Sequence, residues 1–343
     1  MKLRLSRRTL RLRRPLQSAH GTVTERVLLG VSIRDRDGAS GFGEAAPLEQ
    51  YDGVSVARVQ RALESYRPVL AGAEEMKGGR IIEACRRAAD LPQALAAIDL
   101  ALWDLAGRRE GKPVAALLTD LPASDVSVNA TLSSLDRAGA AEQAARAARE
   151  GFGCVKLKVG VGDDAGRVAA VRAAAGPQMA LRLDANGAWS VADAVRAIGE
   201  LSAAGLELVE EPAHGLRAVR EVRERVAVRV AIDETASEHG ALEAHAADAV
   251  CLKVSRCGGI SGLFAAAALV RASGAEVYLA STLDGPLAVA GAVHAAAALA
   301  SRGPLPHCGL ATLSMFEDLA DPLPPVGGRI ALPSAPGLGV EPL

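Results

Sequence analysis

The sequence predicts an α/β protein in which parallel strands close into a barrel behind a separate α+β unit. Two observations lead to this prediction. From residue 126 onward, short apolar runs that end in a charged residue recur at intervals of roughly 20 to 30 residues, as a repeated βα unit requires. A helix-length segment rich in Ala, Arg and Glu separates each run from the next. This alternation is typical of a parallel sheet, and a closed parallel barrel brings the carboxyl ends of its strands to one face.

The beginning of the chain follows a different pattern, which predicts a β-meander. Leu alternates with Arg or Ser over residues 3–13, as expected for a half-exposed strand. Two further apolar strands, residues 27–33 and 41–44, are joined by an Asp-Gly turn, which is a strong hairpin signal. The polar residues 17–22 interrupt the first pattern and are predicted to form a loop.

Helical sequence follows a second loop at residues 47–53. The run from residue 94 to 106 has a broad apolar stripe and stops at Gly107, which indicates a helix packed against a core. Residues 1–122 are therefore predicted to form an α+β capping domain. The C-terminal tail, residues 312–343, is predicted to pack back on this domain, and it is rich in Pro and Gly from residue 318 onward.

The barrel is predicted to occupy residues 123–311 and to contain eight strands. Their predicted positions are residues 126–132, 154–159, 180–185, 206–211, 228–233, 249–254, 276–281 and 305–309. The last of these is a short strand that would close the barrel against the first.

Composition narrows the class of function. The net charge is −1, acids and bases are interspersed, and no basic face indicates a nucleic-acid or membrane partner. The five cysteines are scattered and never form a Cys-x-x-Cys pair, which fits buried thiols in a reducing compartment. The N-terminus has no apolar segment of the secretory type, so we expect a cytoplasmic protein. We expect its partner to be a small molecule, and the protein to be either a monomer or a homo-oligomer.

Three carboxylates form the strongest functional signal. Asp184, Glu210 and Asp233 lie at the ends of three successive predicted strands, where their mutual repulsion would be costly without a cation. Oxygen ligands in this number suit a hard divalent ion such as Mg²⁺. Glu211 and Glu234 follow directly and point to the other side of a strand, so we expect them to support the site from outside.

Three lysines face the same mouth. Lys156 and Lys158 are two residues apart and so point to the same side of one strand, into the barrel. Lys253 repeats the arrangement four strands later, nearly across the barrel. An inward lysine beside another ammonium group and a metal is expected to have a lowered pKa, which makes it a usable base.

Other catalytic motifs are missing from the sequence. It contains no phosphate-binding Gly-rich loop of the Gly-x-Gly-x-x-Gly or Gly-Lys-Ser/Thr type and no Gly-x-Ser-x-Gly, so nucleotide binding and serine hydrolysis are poorly supported. The six histidines show no metal-ligand spacing; His20 falls in the first predicted loop, above the site.

The chain resembles the enolase superfamily, specifically its muconate-lactonizing-enzyme subgroup, over nearly its whole length. The motifs that carry the resemblance are Gly-Glu-Ala-Ala-Pro at 43–47, the helix at 97–107, Lys-x-Lys at 156–158, Asp-Ala-Asn at 184–186, Glu-Glu-Pro at 210–212, Asp-Glu at 233–234 and Lys253. The resemblance implies a (β/α)7β barrel of the TIM type, capped by a domain whose loops around residues 17–24 and 47–53 close over the substrate. It disfavours the mandelate-racemase subgroup, whose histidine base late in the barrel has no suitably placed counterpart in this sequence.

The same resemblance implies roles for individual residues. Asp184, Glu210 and Asp233 would bind Mg²⁺, or Mn²⁺ in its place, and Lys158 and Lys253 would flank the substrate with help from Lys156. Residues expected to contact the substrate or to support the site are Asn186, Glu211, Glu234, Ser281, Asp284, Tyr51 and His20. The shared step would be removal of a proton α to a carboxylate, which a metal and a lysine make feasible by stabilising the ene-diolate as it forms.

The reaction itself stays open between alternatives. The segments 281–286 and 308–313 resemble the o-succinylbenzoate synthases of menaquinone biosynthesis, a lyase family that eliminates water. Dipeptide epimerases are the rival interpretation, although the Asp-x-Asp with which they bind the substrate ammonium has no counterpart at residues 307–311. Muconate cycloisomerase and N-acylamino-acid racemase are further alternatives. A non-catalytic metal-stabilised binding protein would be marked by a missing lysine or carboxylate, and none is missing.

Overall fold

A computed structural model describes residues 1–317 and 319–343. The chain starts with a three-stranded antiparallel sheet made of β1 (Lys2–Ser18), β2 (Gly21–Arg34) and β3 (Ser40–Ala45), in that order. Six helices follow: α1 (Glu49–Asp52), α2 (Val56–Ser65), α3 (Arg67–Ala71), α4 (Gly78–Ala88), α5 (Pro92–Glu110) and α6 (Val114–Leu118).

The long helix α5 holds this first unit together. Twelve of its residues are buried, and it packs directly on β3. Glycine makes the close approach feasible, because a Cβ at Gly43 would clash with the carbonyl oxygen of Ala97 and lie 2.9 Å from the amide nitrogen of Ala101. The apolar stripe predicted for residues 94–106 therefore lies inside a real helix that faces the sheet.

The second unit alternates strands and helices as predicted. Its elements are β4 (Asp125–Ser127), β5 (Ala130–Leu132), α7 (Arg137–Arg149), β6 (Cys154–Lys158), α8 (Asp164–Ala175), β7 (Ala180–Asp184), α9 (Val191–Leu201), β8 (Leu206–Glu210), α10 (Leu216–Arg225), β9 (Val230–Ile232), β10 (Ala249–Leu252), α11 (Ile260–Ser273), β11 (Glu276–Leu279), α12 (Pro286–Ala300) and β12 (Arg329–Ala331). Short 3₁₀ turns lie at Ser202–Ala204, Glu234–Ser237 and Leu313–Met315.

Strands β5 to β11 form a parallel sheet in chain order. The segment around Cys308 and Gly309 joins its two edges: Cys308 bridges to Val128 next to β5, and Gly309 bridges to Ala280 next to β11, both in the parallel sense. The sheet thus curls round on itself as an α/β barrel with its carboxyl ends at one mouth, which confirms the predicted fold class. Its core is built from aliphatic side chains, and strands such as β9 and β10 are buried at every residue, as expected for a parallel sheet covered on both faces.

The C-terminal tail packs against earlier parts of the chain, namely β4, α6 and α5. β12 pairs antiparallel with β4, and the amide of Val114 donates to the carbonyl of Gly337 at 2.9 Å. The amide of Leu338 donates to Asp104 of α5 at 2.7 Å. We propose the division into a cap of residues 1–122, a barrel of residues 123–311 and a tail of residues 312–343 that packs on the cap, and these contacts support it. Asp318, where the Pro- and Gly-rich part of the tail begins, lies outside the described residues.

Three details of the sequence prediction were wrong. Residues 17–22 are not a loop, because β1 and β2 continue through them as a hairpin whose turn is only Ala19 and His20. The strand predicted at residues 126–132 is divided in two, since β4 leaves the barrel to pair with the tail and only β5 joins the parallel sheet. The closing strand is also shorter than predicted, because the described bridges involve only Cys308 and Gly309.

None of the described helices combines the length and the apolar character needed to cross a membrane. The five cysteines are free thiols, four of them buried, as their scattered positions predict. The cytoplasmic location stays a prediction.

Candidate active site

Six charged side chains gather at the mouth formed by the carboxyl ends of the barrel strands. Lys156 and Lys158 are on β6, and three carboxylates end or follow β7, β8 and β9. A third lysine directly follows β10. All six are buried or nearly so: Lys156, Asp184, Glu210, Asp233 and Lys253 are at most 9% exposed, and the Lys158 side chain is 15% exposed.

The lysines and carboxylates form a continuous ionic cluster. The Lys156 ammonium lies between two carboxylates, 2.8 Å from Asp184 Oδ2 and 2.6 Å from Glu210 Oε1. Lys158 reaches the same Asp184 oxygen at 2.6 Å. On the opposite side, Lys253 forms an ion pair with both oxygens of Asp233. The two outer lysines therefore flank the mouth from opposite sides, as the resemblance implies.

The lysine pKa values differ from the expectation. Burial acts to lower the pKa of Lys156, but the charges of Asp184 and Glu210 outweigh it and hold that pKa well above its usual value. Burial also acts to lower the pKa of Lys253, but the surrounding negative groups, with Asp233 the strongest, together hold that pKa above its usual value. The sequence predicts that neighbouring ammonium groups lower these pKa values; the contacting carboxylates are closer and have the stronger effect.

The carboxylates respond in opposite directions. Burial raises the pKa of Glu210 to about 7, and the nearby charge of Asp184 adds to this. The pKa of Asp184 is lowered instead, because Lys156 and Lys158 together outweigh its burial. The cluster thus contains one carboxylate whose negative charge is poorly compensated, next to two that are well paired.

These residues fit a hard divalent cation. Ligand atoms of Glu210, Asp233 and Cys251 lie within 4.8 Å of one another, and Asp184 joins Glu210 through the shared ammonium of Lys156. Three buried carboxylates on adjacent strands supply the oxygen donors that Mg²⁺ or Mn²⁺ prefers, and a cation among them would relieve the repulsion that raises the pKa of Glu210. A thiol such as Cys251 is a soft ligand and is not needed for such an ion.

The expected supporting residues surround this cluster. Asn186 accepts a hydrogen bond from Lys158 at 2.7 Å and donates to Glu234 Oε1 at 2.9 Å. Glu211 accepts from the backbone amides of Asp233 (2.8 Å) and Thr235 (3.0 Å), so it fixes the chain at the end of β9. Asn186 and Glu211 both have a left-handed backbone, with φ of 46° and 42°, at the point where the chain leaves a strand.

Two residues of the cap reach into the mouth. The ring nitrogen Nε2 of His20, at the β1–β2 turn, lies 2.7 Å from Glu234 Oε1. The Tyr51 hydroxyl, on helix α1, accepts a hydrogen bond from Lys253 at 2.7 Å, and its ring lies edge-on to His20 with centroids 5.3 Å apart. Both segments predicted to cover the site therefore do so.

A cavity opens between the cap and the cluster. Its reacting end is lined by the three lysines, Asp184 and Asp233. Ser281 also lines it and lies 2.8 Å from the Thr312 hydroxyl. Asp284 does not: it is buried behind the wall, where one of its oxygens accepts from the Thr282 amide at 3.0 Å. This arrangement therefore does not place Asp284 in contact with a substrate in the cavity.

The sequence analysis did not identify two residues that the structure places at the site. Tyr278, inside β11, donates its hydroxyl to Glu210 Oε2 at 2.7 Å. Arg256 donates to the Tyr51 hydroxyl at 3.0 Å and so holds the cap from the barrel side. A tyrosine within an apolar strand gives no signal of its own, whereas the position of Arg256, three residues after Lys253, could have indicated a place near the mouth.

Comparisons with known proteins agree with this geometry. Residues 2–119 match the N-terminal domain of mandelate racemase and muconate lactonizing enzyme, and residues 139–343 match the enolase C-terminal domain-like family. Muconate cycloisomerase 1 of Rhodococcus opacus is 31% identical over an alignment of 351 positions, which covers 96% of this chain and 92% of that protein.

Two further proteins are similar to the chain. The o-succinylbenzoate synthase of Thermobifida fusca is 40% identical over an alignment of 217 positions, which covers 59% of this chain and 65% of that one. A crystal structure of the dipeptide epimerase of Enterococcus faecalis, complexed with Mg and the dipeptide L-Leu-L-Tyr, superposes with a TM-score of 0.89 at 27% identity and covers 98% of both chains.

The two family models together span most of the chain, and the relatives named above are enzymes. The protein is therefore an enzyme of the enolase superfamily and belongs to its muconate-lactonizing-enzyme subgroup.

Proposed function

We propose that this enzyme is an o-succinylbenzoate synthase, a lyase that removes water from a cyclohexadiene carboxylate to give an aromatic acid. The similarity to the Thermobifida fusca synthase supports the proposal, at 40% identity against 31% for the Rhodococcus opacus cycloisomerase, although it spans a shorter part of the chain. The proposal also includes the metal ligands Asp184, Glu210 and Asp233.

The choice between the reactions is based on the wall of the cavity that lies farthest from the ionic cluster. It is lined by apolar and neutral polar residues, among them Leu16, Val23, Thr312 and Met315. The carboxylates in the described lining are Asp184 and Asp233, both at the reacting end. A dipeptide would have to leave its ammonium group against this wall without a partner, which is costly for a desolvated charge. A ring with an uncharged edge suits the same wall.

The two flanking lysines suit an elimination. Lys158, in its neutral form, would take the proton α to the substrate carboxylate, and the C–H electron pair would pass into the ene-diolate. As the ring double bond forms, the C–O bond breaks, and the ammonium of Lys158 would return its proton to the departing hydroxide as water. Lys253 would stay protonated throughout, held by Asp233 and Tyr51, and stabilise the negative charge.

A divalent cation bound by the three carboxylates would neutralise charge on the substrate carboxylate oxygens as the proton leaves. Lys156, placed between Asp184 and Glu210, would hold those two side chains in position. Tyr278 orients Glu210 from below through its hydroxyl.

The test is a direct assay with two substrate classes. Purified enzyme with saturating Mg²⁺ would be given the cyclohexadiene carboxylate precursor, whose dehydration is followed by absorbance, and a panel of dipeptides in D₂O, followed by mass. We expect dehydration and no deuterium uptake into the dipeptides. Deuterium uptake into dipeptides without dehydration would overturn the proposal in favour of an epimerase. Exchange with no α-acidic carboxylate at all would also overturn the proposal, because removal of the proton α to the carboxylate is its first step.

A further inference from the structure

A groove rich in arginine opens beside the catalytic cavity. It lies between β5, α7 and the segment that carries Met315, and it shares Thr131 and Met315 with the cavity, so the two spaces adjoin. The charged residues that line it are Arg13, Arg14, Arg146 and Glu150. Three guanidinium groups against one carboxylate give this groove a positive character that the nearly neutral chain lacks as a whole.

One of the arginines has a structural role. Arg13 donates from Nε to the carbonyl of Ser314 and from a terminal nitrogen to the carbonyl of Glu317, each at 3.1 Å. It therefore ties β1 to the segment that carries Met315. Arg14 and Arg146 are exposed, and their side chains form no ion pair or hydrogen bond with the described residues.

The described lining of the catalytic cavity has no lysine or arginine on the side that faces the groove. Its lysines all belong to the ionic cluster at the strand ends, where carboxylates already pair with them. Thr131 and Met315 are the point at which the neutral wall gives way to the groove. Consider a substrate whose reacting carboxylate lies at the ionic cluster and whose far end carries a second negative charge. Among the described lining residues, unpaired positive charge for that far end lies in the groove.

We propose that Arg14 and Arg146 form a subsite for a second, distal carboxylate of the substrate and so select dicarboxylates over monocarboxylates. The inference rests on the proposed function, because o-succinylbenzoate carries its second carboxylate at the end of a four-carbon arm. Guanidinium groups suit this task, since their planar donors match the geometry of a carboxylate.

The experiment is calorimetric and does not depend on turnover. The full-length enzyme with saturating Mg²⁺ is titrated with o-succinylbenzoate, the product, and with its chain-terminal carboxamide, which has the same shape without the distal charge. The variants are Arg14→Gln, Arg146→Gln and their combination. The matched control is Arg149→Gln, an exposed arginine of the same helix α7 that does not line the groove. Circular dichroism of each variant checks its fold.

We expect the wild type to prefer the acid over the amide by about tenfold, since exposed ion pairs contribute about threefold each. Each single variant lowers the preference by about threefold, the double variant removes it, and Arg149→Gln leaves it unchanged. Higher salt weakens the preference, because exposed charges are screened. An unchanged preference in the double variant, or none in the wild type, would overturn the subsite while leaving the proposed function intact. Failure of the wild type to bind either compound would overturn both.

Discussion

Burial makes each charged side chain at the barrel mouth depend on its neighbours. Lys156 is 9% exposed and serves two carboxylates at once, and Asp184 is fully buried between two lysines. Removing one partner from such a cluster leaves an uncompensated buried charge, which costs about 3–5 kcal/mol. Lys158 is the most exposed of the three lysines, and its removal leaves no carboxylate of the cluster without a lysine partner, because Asp184 keeps Lys156.

Substitution of Lys158 tests this assignment. Lys158→Ala removes the proposed base, and we expect turnover to fall by about 10²- to 10⁴-fold, the usual contribution of a general base. Product binding measured by calorimetry should stay within about threefold of wild type, because Asp184 keeps Lys156 as a partner. The exposed Lys77→Ala is the control and should leave both quantities unchanged. Normal turnover in Lys158→Ala would exclude it as the base.

At this scale the sequence predicts the charged cluster well. Apolar runs that end in Asp, Glu or Lys are enough to predict that those side chains share one mouth, and the fold does bring them together. The sequence does not predict Tyr278 or the pKa values. Both depend on which side chains meet across the barrel, and strand periodicity carries no information on that.

Among the elements, the packing of α5 on β3 sets the position of the cap. Gly43 lies where the helix backbone passes closest to the strand. The sequence predicts both elements but not their distance, since the glycine could equally mark a turn. The hairpin of β1 and β2 was missed for a related reason. Polar residues 17–22 are typical of a loop, yet their backbone pairing continues where the hairpin extends over the barrel mouth.

Gly43→Ala should destabilise the enzyme through this contact. A methyl group there meets the backbone of α5, and overpacking of this kind costs about 1–3 kcal/mol. The measurement is the free energy of unfolding in urea. The control is Gly79→Ala at an exposed position of helix α4, where a Cβ has nothing within 4 Å, and we expect a gain of about 0.5–1 kcal/mol. Equal effects in both variants would contradict the tight packing of α5 on β3.

The contact between β3 and α12 should make stability depend on pH. Glu44 of β3 accepts a hydrogen bond from the Ala288 amide at 2.9 Å, and burial raises its pKa to about 8. Because the folded pKa lies above the unfolded value of about 4.5, the folded state binds the extra proton between these values. The stabilising contribution is therefore complete below about pH 4.5 and is lost as pH rises through about 8.

Glu44→Gln, which cannot ionise, tests this pH dependence. We expect the melting temperature of the wild type to fall more steeply than that of the variant between pH 6 and about 8.5. Only the wild type releases a proton from residue 44 when it unfolds in this pH range. The measurement is thermal unfolding followed by circular dichroism at a series of pH values. Parallel curves for the two proteins would contradict the assignment.

In the whole molecule, the cap and barrel meet over the reacting groups. Tyr51 of the cap touches Lys253, and His20 touches Glu234, so the cap completes a cavity that the barrel leaves open. Periodicity and motif spacing predict this two-part architecture from the sequence. The choice among reactions depends instead on the neutral wall near Thr312 and on the arginine groove, which only the assembled fold brings into view.

The central claim is that Asp184, Glu210 and Asp233 bind a single divalent cation at the barrel mouth. Titration with Mn²⁺, followed by the electron paramagnetic resonance of the free ion, tests it most directly. We predict one tightly bound ion per chain in the wild type and in the exposed control Asp193→Asn, and loss of that ion in Asp184→Asn and Glu210→Gln. Undiminished binding of one ion by those two variants would contradict the claim.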